Sequence, residues 1–249
     1  MLRSLKELER YTVSAVDGEI GNVDSFLLDG EHWIVRYLIV RTKGFLQGQE
    51  VLVSPISFSK IDWSDLRFNV TLTKDKVRCS PPFDPRMPFT RELEGEVFQY
   101  YGYEPHWGFA GHWGPGIFPS SLATSKGNAD LTGHTDGSTG EHLRNARELR
   151  GYHVVGTDGE IGHIEDFILQ DETWQIRYLV VDTSNWWFGE KVLLSPKWTT
   201  KISWEDKLVY VDMSRHAVQK SPKWEPGNVV EREYEARLFG HYGLPQYWE

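Results

Sequence analysis

The chain has 249 residues, 39% hydrophobic and 25% charged, with a formal net charge of −9. That composition suits a globular protein of one large or two small domains, and the acidic balance argues against a general nucleic-acid binder. Cys79 is the single cysteine, which excludes an internal disulfide and a paired-cysteine metal site.

The N-terminal stretch MLRSLKELERY is charged and has no apolar core of the kind a signal peptide needs. No run approaches the 18 or so apolar residues of a membrane helix. A cytoplasmic protein is therefore expected.

Val13–Val16 and Val23–Leu28 are apolar runs around Asp17-Gly18, the strongest short signal for a β-hairpin. A type I′ turn with positive φ at both Asp17 and Gly18 is expected, with Gly21 marking a bulge or a close backbone approach. Trp33–Arg41 alternates two largely apolar faces, as a strand covered on both sides does, and Arg36 interrupts one of them. Short strands follow at Glu50–Val53, Ile56–Ile61 and Arg67–Leu72, with a turn at Trp63–Asp65. Ser80-Pro81-Pro82 breaks the pattern. Thr90–Tyr101 reads as a helix with Leu93, Val97 and Tyr101 on one stripe and Gly102 as its stop.

Residues 108–145 are rich in Gly, Ser and Thr and are expected to be a flexible linker, with aromatics near its start that could dock on a neighbour. After it the sequence returns. An offset of 141 residues aligns Leu5–Trp107 with Ala146–Trp248 without a gap, matching DGEIG to DGEIG, WIVRYLIV to WQIRYLVV, VLVSP to VLLSP and KIDWSD to KISWED. The chain is read as a duplication: repeat 1 over 1–107, the linker over 108–145, and repeat 2 over 146–249. The second helix carries Tyr234, Leu238 and Tyr242, then Gly243.

The combination of a V-x-x-x-D-G-E-I-G-x-V/I opening, a W-x-V/I-R-Y-L-V-V strand and a V-L-L/V-S-P strand resembles the PRC-barrel family. The resemblance covers Leu5–Leu72 and Ala146–Met213 well and the following tails more loosely. It implies two small, mainly β, PRC-type barrels, each followed by a short C-terminal helix. It also implies a non-catalytic module that acts by contacting other proteins. The family is named for the cytoplasmic barrel of the photosynthetic reaction-centre H subunit, and related barrels end a family of ribosome-maturation factors. Neither the N-terminal membrane helix of the first nor the preceding domain of the second is expected here. A soluble supporter of electron transfer and a ribosome or RNA-maturation accessory therefore stand as alternatives to a general adaptor.

The acidic stretch could be a cation site using Asp17, Glu19 and Asp24, with Asp158, Glu160, Glu165 and Asp166 in the second copy. It could also be an acid/base pair or a turn. Turn chemistry alone accounts for Asp17, Gly18 and Gly21 and for Asp158, Gly159 and Gly162, and the spacing does not fit an EF-hand. No metal, cofactor or catalytic residue is expected, and no nucleophile, P-loop or zinc-protease motif appears. His106, His112, His134 and His142 match no zinc spacing and are expected to be exposed. Cys79, opposite Lys220, is expected at the surface. Arg36 and Arg177 are expected to pair with carboxylates such as Asp24 or Glu165.

The repeats differ most in one loop, Gly44-Phe45-Leu46-Gln47 against Asn185-Trp186-Trp187-Phe188. Trp186, Trp187 and Phe188, with Phe45 and Leu46, are therefore the candidate docking residues, Trp being favoured at interface hot spots. The alternative is that they cover a barrel end or bury against the linker or the sister repeat. The expected partner is another protein. Contact with a membrane complex, an internal pseudo-dimer of the two repeats and self-association all stay open.

Overall fold

A computed structural model describes residues 1–43, 48–107, 111–123, 143–183 and 190–248. The chain is mainly β. It divides into two compact units. The first-repeat unit holds Glu7–Arg147 and Glu172–Gln175. The second-repeat unit holds Met1–Lys6, Glu148–Asp171 and Ile176–Glu249.

Fourteen strands and seven α-helices are present among the described residues. The chain opens with β1 (Leu2–Ser4) and α1 (Leu5–Leu8). The first-repeat unit then contains β2 (Thr12–Ala15), β3 (Gly18–Asp29), β4 (Ile34–Thr42), β5 (Glu50–Val53), β6 (Phe58–Asp62) and β7 (Arg67–Val70). Three helices follow, α2 (Lys74–Arg78), α3 (Arg91–Tyr101) and α4 (Ser120–Ala123). Its strands run β6-β7-β2-β3-β4 with β5 on β4, all antiparallel except the parallel pair β2–β7. The pairing does not close the sheet on itself among the described residues.

The second half repeats this layout. After β8 (Leu143–Asn145) and α5 (Ala146–Leu149) come β9 (His153–Gly156), β10 (Gly159–Gln170), β11 (Gln175–Asp182), β12 (Lys191–Leu194), β13 (Thr199–Ser203), β14 (Leu208–Val211), α6 (Arg215–Gln219) and α7 (Arg232–Tyr242). The order is β13-β14-β9-β10-β11 with β12 on β11, and β14–β9 is again the parallel pair.

The opening strands are exchanged between the repeats. β1 stands at the start of repeat 1 but pairs with β10, Leu2 opposite Gln170 and Ser4 opposite Ile168. β8 pairs with β3, Leu143 opposite Asp29 and Asn145 opposite Leu27. The two registers are the same at the 141-residue offset, which therefore extends back from Leu5 to Leu2. Each exchanged strand is held by more than its ladder. Leu143 is 1% exposed and bridges to Phe89, while Leu2 packs on the core of the second-repeat unit. The Ser25 hydroxyl donates to Asn145 Oδ1 at 2.6 Å, and the Ser4 hydroxyl donates to Asp166.

Residues 172–175 are built into the first-repeat unit. The Trp174 ring, 2% exposed, lies 5.2 Å from Phe58 and 5.9 Å from Phe68. Trp33 and Trp174 occupy equivalent positions, and both hold left-handed backbone, with φ of 57° and 60°. That conformation costs a non-glycine residue about 1 kcal/mol or more. Its recurrence in both repeats ties it to the fold.

Part of the expected linker is structured. Residues 111–123 carry Trp113, 0% exposed, whose indole N–H donates to Thr173 O at 2.9 Å.

The acidic hairpins differ from expectation in one respect. Ala15 pairs with Gly18, so Val16 and Asp17 are the central loop residues. Only Gly18 has positive φ, at 131°. A β-branched Val16 disfavours positive φ, so the turn is not type I′. Thr157, Asp158 and Gly159 repeat the arrangement, with Gly159 at φ 136°. The register then slips by one residue before Gly21 and before Gly162. A Cβ on Gly21 would fall 2.0 Å from Arg41 O, and one on Gly162 would fall 2.0 Å from Asp182 O.

Gly21→Ala and Gly162→Ala must therefore move a neighbouring strand. Each is expected to lower stability in urea unfolding by about 2–4 kcal/mol. Gly95→Ala sits in α3 with open space around it. That change is expected to raise stability by about 0.5–1 kcal/mol.

Candidate functional site

The helix α3 is set by Thr90, whose hydroxyl accepts from Leu93 N–H, and by Gly102, left-handed at φ 77°. Its buried face is Glu94, Val97 and Phe98, displaced from the expected stripe because a carboxylate stands in it. Glu94 is 0% exposed. A charge there needs partners that replace water. The Arg91 guanidinium lies 2.6 Å from Oε2. His106 Nε2 lies 3.1 Å from Oε1, and the Tyr37 hydroxyl of β4 approaches the same oxygen at 3.5 Å.

The second-repeat unit builds the same joint beneath α7. Glu235 is 2% exposed. It accepts from the Tyr178 hydroxyl at 2.6 Å and the Tyr247 hydroxyl at 2.7 Å, and pairs with Arg232 at 3.0 Å. Burial, then the Glu235 carboxylate, pushes Tyr178 well above the usual phenol range and Tyr247 up to about 12. Both phenols stay protonated and act as donors. The chief difference between the joints is His106 in one and Tyr247 in the other.

Arg36 lies on the neighbouring position of β4, 4% exposed. It donates to Asp29 Oδ2 at 3.2 Å and to the carbonyl of His112, and stacks over Trp113 at 4.9 Å. Burial works against ionised Asp29, but the bond from His32 and the charge of Arg36 outweigh it and hold the carboxyl well below its ordinary range. Arg177 bonds Gln170 Oε1 at 2.7 Å and stacks over Tyr247 at 4.4 Å.

Asp24 and Glu165 are not the partners of these arginines. The β3–β4 register puts Val23 opposite Val40, at the far end of the strand from Arg36. Asp24 meets Arg41 at 2.9 Å and Arg147 at 2.8 Å. Glu165 meets Lys6 at 3.0 Å and also pairs with Lys191.

His106 is a second correction. It is 6% exposed and bonded to Glu94 rather than solvated. Proximity to a Gly-rich segment concealed it, although its equivalence to Tyr247 was an available signal. Cys79 is exposed.

The hairpin carboxylates face the chain's own donors. Asp17 Oδ1 accepts from Lys74 N–H at 2.8 Å and Asp158 Oδ1 from Arg215 N–H at 2.7 Å, tying each turn to the following short helix. Glu19 pairs with Lys43 at 2.6 Å and Glu160 with His153 at 2.8 Å. Asp17, Glu19 and Asp24 thus serve separate partners and share none. Among the described residues no group of three or more His, Cys, Asp or Glu is placed to hold a metal ion.

Phe45, Leu46, Trp186, Trp187 and Phe188 lie outside the described residues. The necks of their loops are described and are alike. The Thr42 hydroxyl donates to Gln49 O at 2.9 Å, and the Thr183 hydroxyl donates to Glu190 O at 2.8 Å. Gly21 and Gly162 pass against the backbone just before these threonines. The glycine of the repeated acidic stretch therefore packs under the neck of the loop in which the repeats differ most.

Residues 141–216 match the PRC-barrel domain family, and a PRC-barrel domain is present there. The match runs from β8 to the first turn of α6. No curated protein matches the chain. Among the described residues no helix is long and apolar enough to cross a membrane.

Burial, reinforced by Arg36, lowers His106 to about 4 despite the opposing pull of Glu94. The folded value lies below the ordinary 6.5, so the unfolded chain binds the extra proton. Stability from neutral His106 is full above pH 6.5 and is lost progressively as pH falls towards 4. His106→Tyr copies the second repeat. Its urea midpoint is expected to fall less steeply than the wild type's across that window, and parallel profiles would contradict the assignment.

Proposed function

We propose that the chain is a tandem PRC-barrel protein of the bacterial cytoplasm that works as a non-catalytic protein-binding module. Repeat 1 follows repeat 2 strand for strand, down to the parallel pair, the slipped register at Gly21 and the carboxylate under the terminal helix. This supports reading the PRC-barrel match of residues 141–216 onto both halves. The buried carboxylates Glu94 and Glu235 are engaged in joints that hold helix to sheet, which suits a scaffold.

One observation carries the binding role. Two necks of the same construction, Gly21 with Thr42 and Gly162 with Thr183, hold loops of different chemistry. A constant support under a varied tip is how a rigid scaffold presents a recognition loop. The second loop concentrates Trp186, Trp187 and Phe188, side chains that bring large contact area at low entropic cost.

Affinity purification of the full-length chain from its native cell, beside Trp186→Ala/Trp187→Ala, tests this reading. The variant is expected to keep its circular dichroism spectrum and lose its principal partner by about thirtyfold or more, as removal of a hot spot of 2 kcal/mol or more requires. An unchanged partner set with an unchanged spectrum would contradict it.

A further inference from the structure

The exchanged opening strands point to a partner: a second copy of this chain. We propose that segments 2–6 and 143–147 are docking segments, received by β10 and β3, that a second copy of the chain can supply in place of the chain's own. The proposal is independent of the aromatic loop.

Each segment carries its own recognition chemistry. It opens with a leucine that reaches core, Leu2 or Leu143. Two residues later comes a polar side chain matched to the receiving strand, Ser4 to Asp166 and Asn145 to Ser25. Two residues after that comes a cation matched to an acid, Lys6 to Glu165 at 3.0 Å and Arg147 to Asp24 at 2.8 Å. Three ladder positions fix the register in each case. This is strand addition with side-chain specificity, and it is complete within a short segment.

Nothing in those contacts depends on donor and receiver belonging to one chain. Covalent connection of the two repeats makes the partner internal by raising its effective concentration. Chains folded together at high concentration meet the same donor from outside. The reciprocal pattern then forms between copies with no new contact, as in domain swapping. Asp166, 5% exposed, gives the receiving site a strong demand for its donor, because it accepts from both the Ser4 hydroxyl and the Lys6 N–H.

The test uses full-length chains with Cys79→Ser. One carries Leu2→Cys, a second Gln170→Cys and a third both. The first two are mixed, unfolded in urea, refolded together and oxidised with copper phenanthroline, as is the third alone. The doubly substituted chain is expected to close its cross-link within one chain when dilute. The mixed chains are expected to give a covalent heterodimer, with a yield rising about tenfold for a tenfold rise in concentration. A yield no greater than the self-dimer of either single variant across that range overturns the proposal. So does failure of the doubly substituted chain to cross-link, because the pairing itself would then be absent. Arg3→Cys with Leu169→Cys tests the adjacent pair, with the same outcomes, should Gln170→Cys not fold.

Discussion

Each long strand, β3 or β10, is completed on one flank by three residues from the opposite repeat, and much of the structure depends on that pairing. Without the segment Leu143–Arg147 the first-repeat unit loses Leu143 from its interior, Ser25 loses Asn145, and Asp24 keeps Arg41 but loses Arg147. Without the segment Leu2–Lys6, Asp166 loses the Ser4 hydroxyl and the Lys6 N–H that help to compensate for its burial. Leaving such a group unsatisfied costs about 1–3 kcal/mol, a large share of the stability of a small unit. Neither repeat contains the whole of its own unit.

A second constraint acts where α3 and α7 pack on their strands. Glu94 and Glu235 sit where an apolar side chain would satisfy helix periodicity. Each is tied to a tyrosine of the long inner strand and to an arginine one helical turn before it. We attribute to these carboxylates the fixing of helix position, since a satisfied buried polar group allows fewer alternative packings than an all-apolar contact. The terminal segment then settles over the arginine of the same strand, Trp113 on Arg36 and Tyr247 on Arg177. The repeats achieve one architecture with different residues, and one of those differences, His106 against Tyr247, introduces acid sensitivity into one unit alone.

The strand segments were legible along the chain because β4 and β11 carry apolar residues on both faces and the turns carry Asp-Gly. Gly21 and Gly162 were legible as places of close approach, because nothing but glycine fits beside a neighbouring carbonyl. The loop geometry was misread by one residue, since Asp-Gly suggests its own centre and the pairing of Ala15 with Gly18 cannot be seen in one strand. Arg36 and Arg177 stood out as charges in apolar strands, but their partners depend on cross-strand register and on a segment beyond the repeat. Glu94 was hidden because a helix stripe is read from its apolar residues. The exchange was hidden because β1 and β8 have three residues each, too few for any periodicity. The recurrence of Leu-Arg at positions 2 and 143 was the available clue.

The central claim, reciprocal exchange of the opening strands, is tested most directly by cross-strand nuclear Overhauser contacts in the dilute full-length chain. The account predicts backbone contacts between Arg3 and Leu169 and between Arg144 and Leu28. Contacts between Arg3 and Leu28 and between Arg144 and Leu169 would show each repeat keeping its own strand, and would contradict it.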